Sequence, residues 1–402
     1  MDELLPGDVE VDSAPSVPRS ITRWVSALVP VALIAILVAV FIALDPIGSL
    51  RDVPPAEELA FERTVLRDGQ IELHVRNDGP DPVTISQVLV NDAYWSFTGP
   101  DGSLGRLDST RLTIPYPWEE GLPLNISLIT NTGLTIEHEI EAAALTPEID
   151  RDAVLIYALL GLYIGVIPVS VGLLWFPALQ RAGRRVLSFV LAFTVGLLVF
   201  LLLDTVAEGL ELAQTAPAAF DGLGLLVLGA LGAILALTGV ERVLTREKPS
   251  GDSAALALAY LIALGIGLHN MGEGLAVGSA LAVGEVALGT FLVVGFALHN
   301  TTEGLAIVAP LGGGGRRPHL WHFAAFGAVA GAPTILGAWV GGFLFSATLA
   351  ALAFGVAAGA IAQVIWQIWR GGSKPLTLSS GAGALGLVVG FVFMYVTGLF
   401  AA

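Results

Sequence analysis

The sequence predicts a membrane all-α protein: an eight-helix bundle preceded by one N-terminal anchor helix and a small extracytoplasmic β-sandwich domain. Three observations carry that expectation. Of 402 residues, 54% are hydrophobic and only 13% charged, against about a quarter charged in soluble domains. From residue 153 onward the apolar residues fall into eight runs long enough to cross a hydrocarbon core of about 30 Å. Between residues 55 and 147 the pattern changes to short alternating runs divided by turn residues.

Taken in order, residues 1–23 are polar, acidic and Pro-containing, the composition of a disordered tail. Residues 24–44, Trp24 to Leu44, carry no charge and form a transmembrane anchor. The run ends Ile42-Ala43-Leu44-Asp45-Pro46 without the small-residue site of a cleaved signal peptide, so the anchor is expected to be retained. Residues 45–152 form an Ig-like β-sandwich. Ile71–Arg76 alternates, Asn77-Asp78-Gly79-Pro80 turns, and Val83–Val90 is rich in β-branched residues. Further runs at 110–114, 124–130 and 133–141 are separated by Pro and Gly. Glu137, Glu139 and Glu141 alternate with His138 and Ile140, the pattern of a solvated strand face rather than of a metal-capturing edge.

Residues 153–402 hold the eight spans, at about 153–176, 186–206, 222–241, 254–283, 286–310, 320–343, 347–369 and 379–400. Lys and Arg occupy every second loop: Arg181, Arg184 and Arg185, then Arg242, Arg246 and Lys248, then Arg316 and Arg317, then Arg370 and Lys374. The loops between these have none. The positive-inside rule therefore places the N-terminus in the cytoplasm and the β-domain and C-terminus outside, in a multi-pass protein of the plasma membrane.

The net charge of −16 excludes nucleic acid as a partner, because phosphate binding needs clustered cations. There is no Cys, so any metal must be held by nitrogen and oxygen ligands.

The chemistry concentrates in one duplicated phrase. His269-Asn270-Met271-Gly272-Glu273-Gly274-Leu275-Ala276 recurs as His299-Asn300-Thr301-Thr302-Glu303-Gly304-Leu305-Ala306, once in the fourth span and once in the fifth. His and Glu four apart share a helix face, so two adjacent helices can aim two imidazoles, two carboxylates and two amide oxygens at one point. An ionisable group inside the bilayer costs roughly 2.5–3.5 kcal/mol on insertion scales, which marks each Glu as functional. At the outer end of the second span, Asp204 and Glu208 lie one turn apart and form a candidate cation entrance. In the seventh span Gln363 and Gln367 are candidate accessory groups, with helix packing as their default role. His319 and His322, one turn apart at the start of the sixth span, have the spacing of amphipathic interface residues.

The paired His-Asn-x-x-Glu-Gly-Leu-Ala motifs, together with Ala357-Ala358-Gly359-Ala360 in the seventh span, resemble the ZIP family of divalent metal transporters over about residues 153–402. The resemblance implies a transporter moving zinc or a similar divalent ion (iron, manganese) toward the cytoplasm, with His269, Asn270, Glu273, His299, Asn300 and Glu303 as metal ligands. It implies a metal that is substrate, with no cofactor and no enzymatic activity, and helices four and five moving with their cargo. The chain departs from the family pattern at Gly272 and Thr302, where Pro is usual before each Glu, and at Ala332, where many members place a carboxylate. One strong site is therefore expected, with the second weak or absent. The other readings are an intramembrane metal-dependent hydrolase and a metal sensor. Against the hydrolase, His-Asn-x-x-Glu lacks the second His of a His-Glu-x-x-His helix and no separate base stands nearby. A homodimer and an unknown ligand of the β-domain stay open.

Overall fold

The computed structural model describes residues 19–44, 56–100, 102–140, 142–247, 249–282, 286–313, 317–371 and 381–398. Residues 1–18 of the expected tail, Glu141, Lys248, Arg316 and Lys374 lie outside the described residues.

Arg19–Leu44 is a single helix, α1, of 26 residues, about 39 Å at 1.5 Å per residue. Its apolar stretch Leu28–Phe41 is exposed throughout, as expected of a surface solvated by lipid rather than water. It belongs to a unit separate from that of the residues from Ala56 onward.

In the second unit, two antiparallel sheets come first. Strands β1 (Leu59–Arg67), β2 (Gln70–Asn77) and β5 (Ser109–Ile114) pair in the order β1-β2-β5. Strands β3 (Ile85–Val90), β4 (Ala93–Trp95), β6 (Leu124–Thr130) and β7 (Thr135–Ile140) pair as β4-β3-β6-β7. Alternation dictates the packing. Ile71, Leu73 and Val75 of β2 face Val88, Val90, Ile126 and Leu128 across one apolar core. Asn91 and Asp92 both adopt left-handed φ, 49° and 66°, which makes the β3–β4 connection a two-residue turn of the kind that matches strand twist. Strand β1 escapes a pattern search for a physical reason: a register shift between Phe61 and Arg63 breaks its alternation. Glu137 and Glu139 are exposed. His138 turns inward, stacks on Phe61 at 4.5 Å and pairs through Nε2 with Thr64 Oγ1 at 2.8 Å.

Eight helices among the described residues are long and apolar enough to cross a membrane: Arg151–Gln180, Arg184–Thr215, Ala218–Leu244, Asp252–Ala282, Leu288–Gly312, Leu320–Leu344, Ala347–Arg370 and Gly381–Gly398. Two of them are broken. The first widens into a π-turn at Leu162–Val166 ahead of Pro168, and the sixth breaks at Ala332, before Pro333. Proline has no N–H and its ring clashes with the preceding turn, so carbonyls upstream of it lose their helical partners. The fourth span packs along the sixth, the fifth along the first, the second along the eighth and the third along the seventh.

The β region meets the helices at the start of the third span. Asp78, in the turn after β2, accepts from the backbone N–H of Ala218 and, at 2.7 Å, of Ala219, where the third span begins. The Arg76 guanidinium lies 5.2 Å from the ring of Phe220.

Candidate metal centre

The fourth and fifth spans lie side by side and bring their two motifs together. On the fourth, His269 and Glu273 are one turn apart, with His269 Nε2 3.2 Å from Glu273 Oε1. From the fifth, His299 Nε2 makes a short hydrogen bond to the same Oε1, and Asn300 Nδ2 donates to Oε2 at 2.7 Å. All are buried: His269 6% exposed, Glu273 4%, His299 7%. His269, Glu273 and His299 offer ligand atoms that all lie within 4.8 Å of one another. A tetrahedral ion with bonds of about 2.0 Å separates its ligands by about 3.3 Å, so the 3.2 Å edge already has coordination spacing.

Glu303 stands outside that trio. It is 3% exposed, close enough to Glu273 to feel its charge and beside Asn270, yet neither of its oxygens meets hydrogen-bond geometry. The amide oxygens of Asn270 and Asn300 are likewise buried without a partner. An unmet buried polar atom costs about 1–3 kcal/mol, more when charged. Four such oxygens around one cluster form a lone-pair-rich set that a cation can satisfy. Two imidazoles, carboxylates and amide oxygens without sulfur suit zinc and neighbouring divalent ions.

The two Asn residues do a second job that residue type alone conceals. Asn300 Nδ2 also donates to the Ile164 carbonyl at 3.0 Å, four residues before Pro168, whose nitrogen carries no hydrogen to offer it. Asn270 Nδ2 donates to the Ala330 carbonyl at 3.1 Å, beside the break at Pro333. Each motif thus reaches a different proline-broken span. The glycines that follow the carboxylates make the approach: a Cβ on Gly274 would lie 2.1 Å from the Thr334 carbonyl oxygen, and one on Gly304 2.1 Å from that of Val169. With amide nitrogens anchored this way, the amide oxygens have a fixed direction.

Asp204 and Glu208 are exposed and line the same small cavity as His269, Glu273 and His299, with Phe296, Phe354 and Ala357 among its walls. The cavity offers about 20 Å³ to a water-sized body, room for one small species. Thr205, which the sequence did not single out, is buried there with Oγ1 3.5 Å from His269 Nδ1, and Phe296 sets its ring edge-on to His299 at 5.3 Å. A polar residue next to Asp204 in an apolar span was the available signal for Thr205.

The structure does not bring Gln363 and Gln367 to the centre. They lie six and ten residues past Ala357, about 9 and 15 Å further along the helix. Gln363 donates to Glu241 Oε2 at 3.4 Å, and Gln367 is buried with both side-chain polar atoms unmet. His322 accepts or donates at 2.8 Å with the Tyr260 hydroxyl, and His319 caps its helix, so both serve the start of the sixth span. No protein-family model and no curated protein matches this chain.

Proposed function

We propose that this protein is a divalent metal transporter of the ZIP type, carrying zinc or a similar ion toward the cytoplasm across the plasma membrane. The observation that carries the reading is the buried trio His269, Glu273 and His299, contributed by two adjacent helices inside an eight-span protein. On this reading α1 is a ninth, N-terminal crossing, the N-terminus is cytoplasmic, and the C-terminus is outside. The two sheets form an extracytoplasmic Ig-like sandwich; the strand orders β1-β2-β5 and β4-β3-β6-β7 support that label.

The ion is substrate. It collects at Asp204 and Glu208, whose charges raise the local cation concentration, and passes into the cavity that these residues share with the trio. His269 and His299 give Nε2 and Glu273 a carboxylate oxygen; Glu303 and the oxygens of Asn270 and Asn300 extend the set. Imidazole and carboxylate must shed protons to bind, so loading weakens in acid. Mixed nitrogen and oxygen ligation without thiolate fits a site that must also release its ion. Transfer across the membrane requires the fourth and fifth helices to shift, and their glycine-mediated contacts to the sixth and first spans imply that those partners travel with them.

The test is zinc flux into proteoliposomes followed with an internal fluorescent chelator. Time-dependent accumulation above protein-free vesicles is the expected result. Binding without accumulation would replace the transporter by a sensor, and cleavage of a membrane substrate without flux would replace it by a hydrolase.

A further inference from the structure

A second concave site lies apart from the metal centre. Between the end of the first span and the start of the sixth is a groove of about 430 Å³, walled by Leu174, Phe176, Phe323 and Ala324, with Gln180 and Arg317 at its rim. Its size is that of a small-molecule pocket. Its walls are almost entirely apolar, and its one cationic lining residue, Arg317, is exposed and has no ion pair or hydrogen bond among the described residues. Trp175 and Trp321, each 56% exposed, flank it. Exposed indoles of a membrane protein settle at the level of the lipid headgroups. Exposed Arg181, Arg184 and Arg185 follow the first span on the same side.

We propose that this groove binds one anionic phospholipid, with an acyl chain along the apolar wall and the phosphate against the Arg317 guanidinium and the Gln180 amide. Three features select this occupant. The groove combines a hydrocarbon-like wall with a single unpaired cation, which matches an amphiphile with one anionic end. The flanking indoles place that cation where a bilayer presents its phosphates. Basic pockets between membrane helices beside positively charged loops are the recognised chemistry of anionic headgroup sites. A second copy of this chain fits worse, because at the same depth it brings the same Arg-bearing loops.

The experiment is native mass spectrometry of the full chain released from phosphatidylcholine nanodiscs doped with phosphatidylglycerol, for wild type, Arg317→Gln and Ala324→Phe. The expected result is one retained phosphatidylglycerol on wild type, occupancy about fivefold lower in Arg317→Gln, the ratio that about 1 kcal/mol per basic residue gives, and loss in Ala324→Phe, which fills the groove. Equal retention of phosphatidylcholine, unchanged occupancy in both variants, or a protein dimer in place of the lipid adduct would each overturn the assignment. A second measurement on wild type needs no variant: phosphatidylglycerol with a photoreactive acyl chain should label residues 170–180 and 320–324, and labelling confined to other spans would equally defeat the proposal.

Discussion

Two regions of this molecule bury asparagine completely and use it in opposite ways. In the β region Asn77 is 0% exposed and saturated: Nδ2 donates to the carbonyls of Asp81 at 2.8 Å and Leu104 at 2.9 Å, and Oδ1 accepts from the Gly79 N–H at 3.0 Å. In the helical region Asn270 and Asn300 are also 0% exposed, but each bonds only through nitrogen and keeps its oxygen unmet. The same contrast separates His138, paired with Thr64, from Glu303, neither of whose oxygens meets hydrogen-bond geometry. A buried polar group whose every atom is spent locally stabilises a fold. One left partly unspent costs stability, and at Asn270, Asn300 and Glu303 the unmet oxygens gather beside a cluster able to hold a cation.

The largest effect that sharpens this contrast is at Glu273, where both motifs meet. Glu273→Ala should lower zinc flux by more than about 100-fold, since even outer partners of a metal ligand cost 10–100-fold. Flux within a few-fold of wild type would dissolve the centre. Next comes an exchange between the regions. Asn77→Ala removes the three hydrogen bonds of a fully buried amide and should destabilise the β region by about 1–3 kcal/mol, seen as faster amide exchange across β2 and β5, while zinc affinity holds. Asn300→Ala should do the reverse, weakening zinc binding by calorimetry with little change in that exchange. If the two variants gave the same pattern, the division between spent and unspent amides would be lost.

A smaller effect is expected at the cavity mouth. Asp204→Asn should raise the KM for uptake several-fold at low ionic strength with the maximal rate unchanged, the difference shrinking as salt screens the charge. An identical uptake curve would remove the entrance. Smallest is the pH response of the β region. Burial holds His138 below the usual histidine range. Its neutral form is favoured in the folded state, so its contribution is complete above about pH 6.5 and is lost as pH falls through the folded value, where the unfolded chain binds more protons. Amide exchange in β1 and β7, corrected for its intrinsic pH dependence, should accelerate over that window. His138→Gln should flatten the response, and an unchanged slope would mean that another group sets it.

Much of this was legible in residue order. The spans announce themselves because lipid forces long uncharged runs, and the centre because a doubled polar phrase inside them is costly. Strand β1 was missed because its bulge destroys the period of two that identifies strands. Asp78 read as a turn residue, and only the fold reveals that its carboxylate holds the start of the third span. Gln363 and Gln367 share a helix with Ala357, but spacing along a helix gives a face without saying which depth matters. The two motifs are alike in letters and unlike in role: Glu273 meets both imidazoles and Glu303 meets neither within hydrogen-bond reach, an asymmetry no pairwise identity could show.

The Asn and Gly of the repeated phrase carry one more lesson. Asn270 with Gly274 is fitted to the sixth span, Asn300 with Gly304 to the first. Half of the spelling is therefore addressed to a neighbour and only half to the buried polar cluster. A chain that kept all these letters while altering Pro168 or Pro333 would still look like an ion carrier on paper, with its joints no longer matched to their sockets.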